Sequence, residues 1–156
     1  SQKLGSADPR AVMERASARE LAMRVALGAA ARQPMEQQGV VLFAHVVELG
    51  GIPCGPDLEL DGELKRPGRR QLEPEWLSRR DASPFYCLGG AAQARLLAAV
   101  DEAKRGGDTL GGVFEVVVLG LPIGLGSYFS GPERLTGRLA GALLSIPAMK
   151  GIEFGL

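Results

Sequence analysis

Residues 14–20, ERASARE, set two arginines and a hydroxyl just ahead of an alanine-rich stretch that runs on through LAMRVALGAA to Ala30. Free backbone N–H groups at a helix start, together with the positive end of the helix dipole, favour an anion there. Arg15 and Arg19 in the same turn add fixed cations, so the chemistry on offer is the holding of a phosphate or carboxylate. The plainer reading is a capping box, in which the Ser17 hydroxyl accepts from the Glu20 backbone N–H while the Glu20 side chain reaches back. Two guanidiniums are more than capping requires.

A second cluster, SIPAMKGIEFG over 145–155, puts Pro147 and Ala148 in a small-residue turn beside Lys150. Lys150 and Glu153 taken alone read as a surface ion pair contributing under about 1 kcal/mol. His45 lies among apolar residues and reads as a hydrogen-bonded structural histidine. DTLGG (108–112) and GLPIGLGS (120–127) are turns whose glycines suit positive φ, and neither carries a P-loop ending or a GxGxxG in strand-to-helix context. The chain's single histidine and its cysteines, Cys54 and Cys87, supply no zinc set. Nothing forms a Ser/His/Asp or Cys/His arrangement, so no catalytic residue and no metal ligand is assigned within the chain.

The elements that must position these residues are legible from periodicity. Over 17–33, Leu21, Val25 and Ala29 recur at helical spacing with Ala22, Ala26 and Ala30 beside them, and Pro34 is expected to end the helix. Its small face predicts close approach of another helix and a central place in the fold. VVLFAHVVELGG (40–51) reads as a strand with both faces largely apolar. Residues 52–81 turn to proline and alternating charge, an exposed excursion with a short helix near Trp76, or alternatively a lid or partner arm. A helix follows over 91–105, closed by Gly106 and Gly107, then a strand over 111–122 interrupted by Glu115, then a helix over 132–144. The order predicts helices packed on sheets.

At 156 residues and 46% hydrophobic content the chain is long enough to form one domain burying roughly 70% of its unfolded surface. Equal counts of acidic and basic residues leave no basic excess for a nucleic-acid footprint, so any anion site is local. No apolar run reaches the ~20 residues of a membrane span, and the first residues, SQKLGSADPR, lack a signal-peptide core. The expectation is a cytoplasmic protein with reduced thiols and no membrane or nucleic-acid partner.

Taken together, ERASARELAMRVALGAA, the strand phrase with His45-Val46-Val47 and Gly50-Gly51, GDTLGGVFEVVVLGLPIGLGS and LLSIPAMKGIEFG resemble the central portion of the chorismate synthase family, in that order and spacing. The resemblance covers essentially the whole chain apart from the charged excursion. It implies an α+β fold, a β-α-β sandwich with helices packed between antiparallel sheets, of which 1–156 is a single partial domain. It implies a lyase of the shikimate pathway and aromatic amino acid biosynthesis that eliminates phosphate from 5-enolpyruvylshikimate 3-phosphate to give chorismate. The cofactor implied is reduced FMN (FMNH2), required but not consumed in net terms, with NADP among the nucleotides associated with the family. Carried over by motif, Arg15, Ala16, Ser17, Pro147 and Ala148 look like FMN contacts. Arg19 is similar to the arginine beside the phosphorylated small-molecule substrate. A homotetramer is the implied assembly.

Leu21 departs from the family, which usually has Thr or Ser there, so a polar contact on that turn is expected to be lost or replaced. The chain begins after the family's GESHG-type and RPGH-type motifs and ends before its later asparagine-glycine, lysine-proline and arginine-serine-aspartate motifs. The family's proposed acid–base histidines belong to those parts, so the isolated 156 residues are expected to be inactive. The strand over 113–119 is expected to need cover from elsewhere. A second reading keeps the same scaffold as a non-catalytic oligomerisation or flavin-phosphate-binding module.

Overall fold

The computed structural model describes residues 5, 8, 10, 13, 19–55 and 74–155. The element order is α1 (Arg19–Gln37), β1 (Val41–Leu49), β2 (Ile52–Pro53), α2 (Pro74–Ala82), α3 (Gln93–Gly106), β3 (Gly112–Leu119), a 3-10 turn (Gly131–Glu133) and α4 (Leu135–Leu144). The mixture of helices with one antiparallel sheet is the expected α+β class. The chain divides into two compact units, one of Ser1–Pro34 with Pro122–Leu156 and the other of Met35–Leu121.

In the second unit the strands lie in the order β2-β1-β3. Gly50 and Gly51, with φ of 61° and 74°, form the primed two-residue turn that lets β2 fold back on β1 through Leu49↔Ile52 and Glu48↔Pro53. β1 and β3 are antiparallel from Val41↔Leu119 to Leu49↔Gly112, with a bulge between Val46 and Glu48. Just beyond that ladder Gly120 has φ of 80°, and any Cβ there would strike the Gly39 carbonyl, so backbone approach alone demands glycine.

Two small apolar clusters hold this unit. Phe43, Trp76 and Leu88 form one, flanked by Leu77 and Val117, and Cys54, Cys87, Ala92 and Leu96 form the other. Arg80 lies 5.2 Å over the Phe43 ring. α3 ends as the sequence predicts: Gly107 is left-handed, its N–H donates to Lys104 and the Asp108 N–H to Ala103, a Schellman closure.

Four expectations change. Pro34 does not end α1, which carries it internally and continues to Gln37; the turn after it is closed by Gln38 and Val40 N–H groups on the Met35 carbonyl. Without an N–H, Pro34 cannot bond back along the helix, and the division between the units falls at this residue. The charged excursion is anchored at both ends: β2 and buried Cys54 lie at one, and Trp76, 2% exposed, is core at the other. Its interior, 56–73, lies outside the described residues. α1 is not enclosed, having no buried residue, while Met23, Val25 and Leu27 stand exposed on different sides. Finally, α4 starts at Leu135, because Pro132 belongs to a separate 3-10 turn.

Candidate functional site

Arg15, Ala16 and Ser17, and with them the serine half of the capping box, lie outside the described residues. Arg19 opens the described part of α1 and is exposed. The Glu20 carboxylate has a forward partner, accepting from Arg24 Nε at 2.6 Å across one helical turn. Leu21, the departure from the family pattern, is half-buried.

Arg24 connects the sequence-predicted segments. Its Nη1 donates to Ser145 Oγ at 2.7 Å, a bond spanning 121 residues of sequence within one compact unit. The Ser145 hydroxyl donates in turn to the Ala142 carbonyl at 2.7 Å, so one oxygen both gives and accepts. Ser145 is the C-terminal cap of α4, its N–H on the Gly141 carbonyl. The next turn closes with the Met149 N–H on the Ile146 carbonyl at 3.2 Å. Pro147 fixes the first corner and Ala148 takes φ of 69° at the second, which defines a type II turn with alanine where glycine is usual. Pro147, Ala148 and Lys150 are all exposed.

Neither Arg24 nor Ser145 stands out by motif. The signal available was composition: Arg24 is the sole charged residue between Leu21 and Ala31, four positions after Glu20, the spacing of a helical ion pair.

The glycine loop after β3 behaves as its sequence predicts, with Gly120, Gly124 and Gly126 all at positive φ. Ser127 Oγ accepts from the Phe129 N–H at 3.1 Å, and Gly126, Ser127, Pro132, Glu133 and Arg138 line a shallow open recess. His45 is structural in its contacts: its buried ring meets Glu115 directly across the β1–β3 ladder, Nε2 to Oε2 at 3.1 Å. No described helix is long and apolar enough to cross a membrane.

Arg19 and Lys150 are exposed cations, and Pro147-Ala148 is a small apolar turn tied by Ser145 to the helix that carries Arg19.

Comparison with known proteins gives one answer throughout. Residues 1–156 match the chorismate synthase family. A chorismate synthase of Carboxydothermus hydrogenoformans is 47% identical over 153 residues, covering 98% of this chain and 37% of that protein. One of Thermobifida fusca is 46% identical over 155 residues, covering 99% and 37%. A solved chorismate synthase crystal structure superposes with a TM-score of 0.81 at 34% identity, over 99% of this chain and 45% of that one. The chain thus spans 37% of the length of these curated relatives and 45% of the solved structure. A family match along every residue, with identity near one half and a shared fold, makes this chain a member of the chorismate synthase family.

Proposed function

We propose that the chain forms part of an enzyme that eliminates phosphate from 5-enolpyruvylshikimate 3-phosphate to give chorismate in the presence of reduced FMN. The observation that carries this reading is the family match along residues 1–156, with ERASARE and SIPAMKG falling inside it. Sequence kinship supports the reaction class.

In the elimination the carbon–oxygen bond to phosphate breaks, a hydrogen leaves C6 and a new carbon–carbon double bond forms. Charge builds on the departing phosphate, and preorganised cations stabilise it. Arg19, exposed on α1, is assigned to an anionic group of the substrate. Arg15 and Ser17 are assigned to the flavin phosphate, with Ala16, Pro147 and Ala148 offering small surfaces for close approach of the ring. Reduced flavin, when bound, supplies an electron-rich partner to the reacting substrate and is not consumed in net terms. The same proposal includes a homotetramer working in the cytoplasm on a small phosphorylated metabolite, with no nucleic-acid or membrane partner.

The complete gene product, assayed anaerobically with reduced FMN, is expected to form chorismate, and a wild-type protein that forms none sinks the enzyme reading. Arg19→Ala is expected to lower kcat/KM by about 10- to 100-fold, the scale of an unmade charge-assisted contact. Unchanged kcat and KM in that variant would return Arg19 to capping or packing.

A further inference from the structure

We propose that Arg24 is a positioning residue: oriented by Glu20, it holds Ser145 and so sets the 146–149 turn, with Pro147 and Ala148, at a fixed place relative to helix α1. The inference rests on the flavin reading of that turn and adds a residue that reading does not contain.

The geometry is that of a strut. Arg24 Nε is held by Glu20 Oε1 at 2.6 Å while Nη1 reaches Ser145 Oγ at 2.7 Å, so two different atoms of the planar guanidinium are engaged at once. A planar guanidinium held at Nε has less freedom in where it aims Nη1, a two-point geometry that a lysine ammonium cannot reproduce. Ser145 is equally constrained, because its hydroxyl proton is committed to Ala142 and only its lone pairs face the arginine.

What the strut holds is a strained piece of chain. Ala148, at φ of 69°, sits in a conformation that non-glycine residues avoid, three residues beyond Ser145. The strut starts on the helix that carries Arg19, five residues or about 7.5 Å of axial rise away. A displaced Ser145 therefore changes the spacing between the turn assigned to the flavin and the helix whose Arg19 is assigned to the substrate. Arg24 and Glu20 are each more than a third exposed, so the pair contributes little to global stability, and its effect belongs to the local turn.

The test uses the complete gene product with S145A, R24Q, the double variant, and S145T, which keeps the hydroxyl. In flavin-free protein, S145A and R24Q are expected to speed hydrogen exchange at the Met149 amide. Each is expected to weaken FMN binding, followed by fluorescence, by about tenfold, the lower end of what losing a supporting partner behind a ligand contact costs. The double variant should bind no worse than the weaker single, since one connection is cut twice, and S145T should behave as wild type. S145A removes a single exposed oxygen and retains the fold, which keeps the test decisive if R24Q folds poorly. Wild-type exchange and affinity in S145A, or additive losses in the double variant, overturn the strut while leaving the flavin reading intact. A wild-type protein that binds no FMN overturns the flavin reading and the role given to the turn with it.

Discussion

Replacing Glu115 by alanine should cost more stability than replacing the buried histidine it contacts. The His45 side chain is 0% exposed and the Glu115 side chain 39%. A carboxylate accepts, so Nε2–H donates to Oε2 at 3.1 Å, while Nδ1 is buried without a partner. Glu115→Ala then leaves a buried ring with neither nitrogen bonded. A hydrogen bond to a charged group stabilises by about 1.5–3 kcal/mol, and Glu115 keeps partial hydration, so a loss of about 2 kcal/mol is expected. His45→Leu removes both nitrogens at similar volume and frees Glu115 to turn to water. Its cost is the tilted contact with Phe43, centroids 5.4 Å apart, and should stay below about 1 kcal/mol. In the His45→Leu background Glu115→Ala should cost almost nothing, because no partner is stranded. Urea unfolding of the complete gene product, with hydrogen exchange of the β1 and β3 amides as local readout, measures all four corners of this cycle. An equal loss from Glu115→Ala in both backgrounds refutes the argument.

Two further outcomes follow from the second unit. Burial, followed by the neighbouring Cys87 thiol, pushes the Cys54 thiol up from 9.0 to about 12, so it should resist Ellman's reagent at pH 8 until the protein unfolds. The folded form holds this proton more tightly than the unfolded one. The associated stability is therefore complete below about pH 9 and lost as pH rises towards about 12, and Cys54→Ala should remove that part of the alkaline slope. The 156-residue segment alone should self-associate, since Val113, Phe114 and Val116 are exposed on β3, the outer strand of the described sheet. A monomer at high concentration by light scattering would contradict this.

What sequence could foresee here was local, and what it missed was long-range. The Gly50-Gly51 turn and the Gly107 cap follow from positive φ, which few residues other than glycine supply. Glu115 was visible as an interruption in an apolar strand and His45 as a polar residue in another. That they face each other depends on register, which neither segment encodes alone. Trp76 lay in a stretch whose charge pattern predicts exposure, yet one large aromatic ring outweighs its polar neighbours once Phe43 and Leu88 are there to pack against it. Pro34 inside α1 ran against a rule that carries a cost of ~3 kcal/mol, and the helix continues only for three residues beyond it. The Arg24–Ser145 bond spans 121 residues, and the isolated charge of Arg24 four positions after Glu20 points to a helical ion pair, not to Ser145.

That bond also accounts for a feature of the turn that sequence alone makes look unfavourable. A type II turn with proline at its first corner ordinarily places glycine at the second, where the left-handed conformation carries no Cβ penalty. Ala148 occupies that corner at φ of 69°, a departure costing about 1–2 kcal/mol. The arginine-to-serine hydrogen bond, with one charged partner, is of the same order. The anchor at Ser145, discounted for its exposure, offsets part of the strain three residues later, where the turn keeps a methyl group at a corner that favours glycine. A glycine there would relax the chain and widen the range of positions open to Pro147. Alanine, held from α1 through Arg24, narrows it, which is the restriction that the proposed flavin contact calls for.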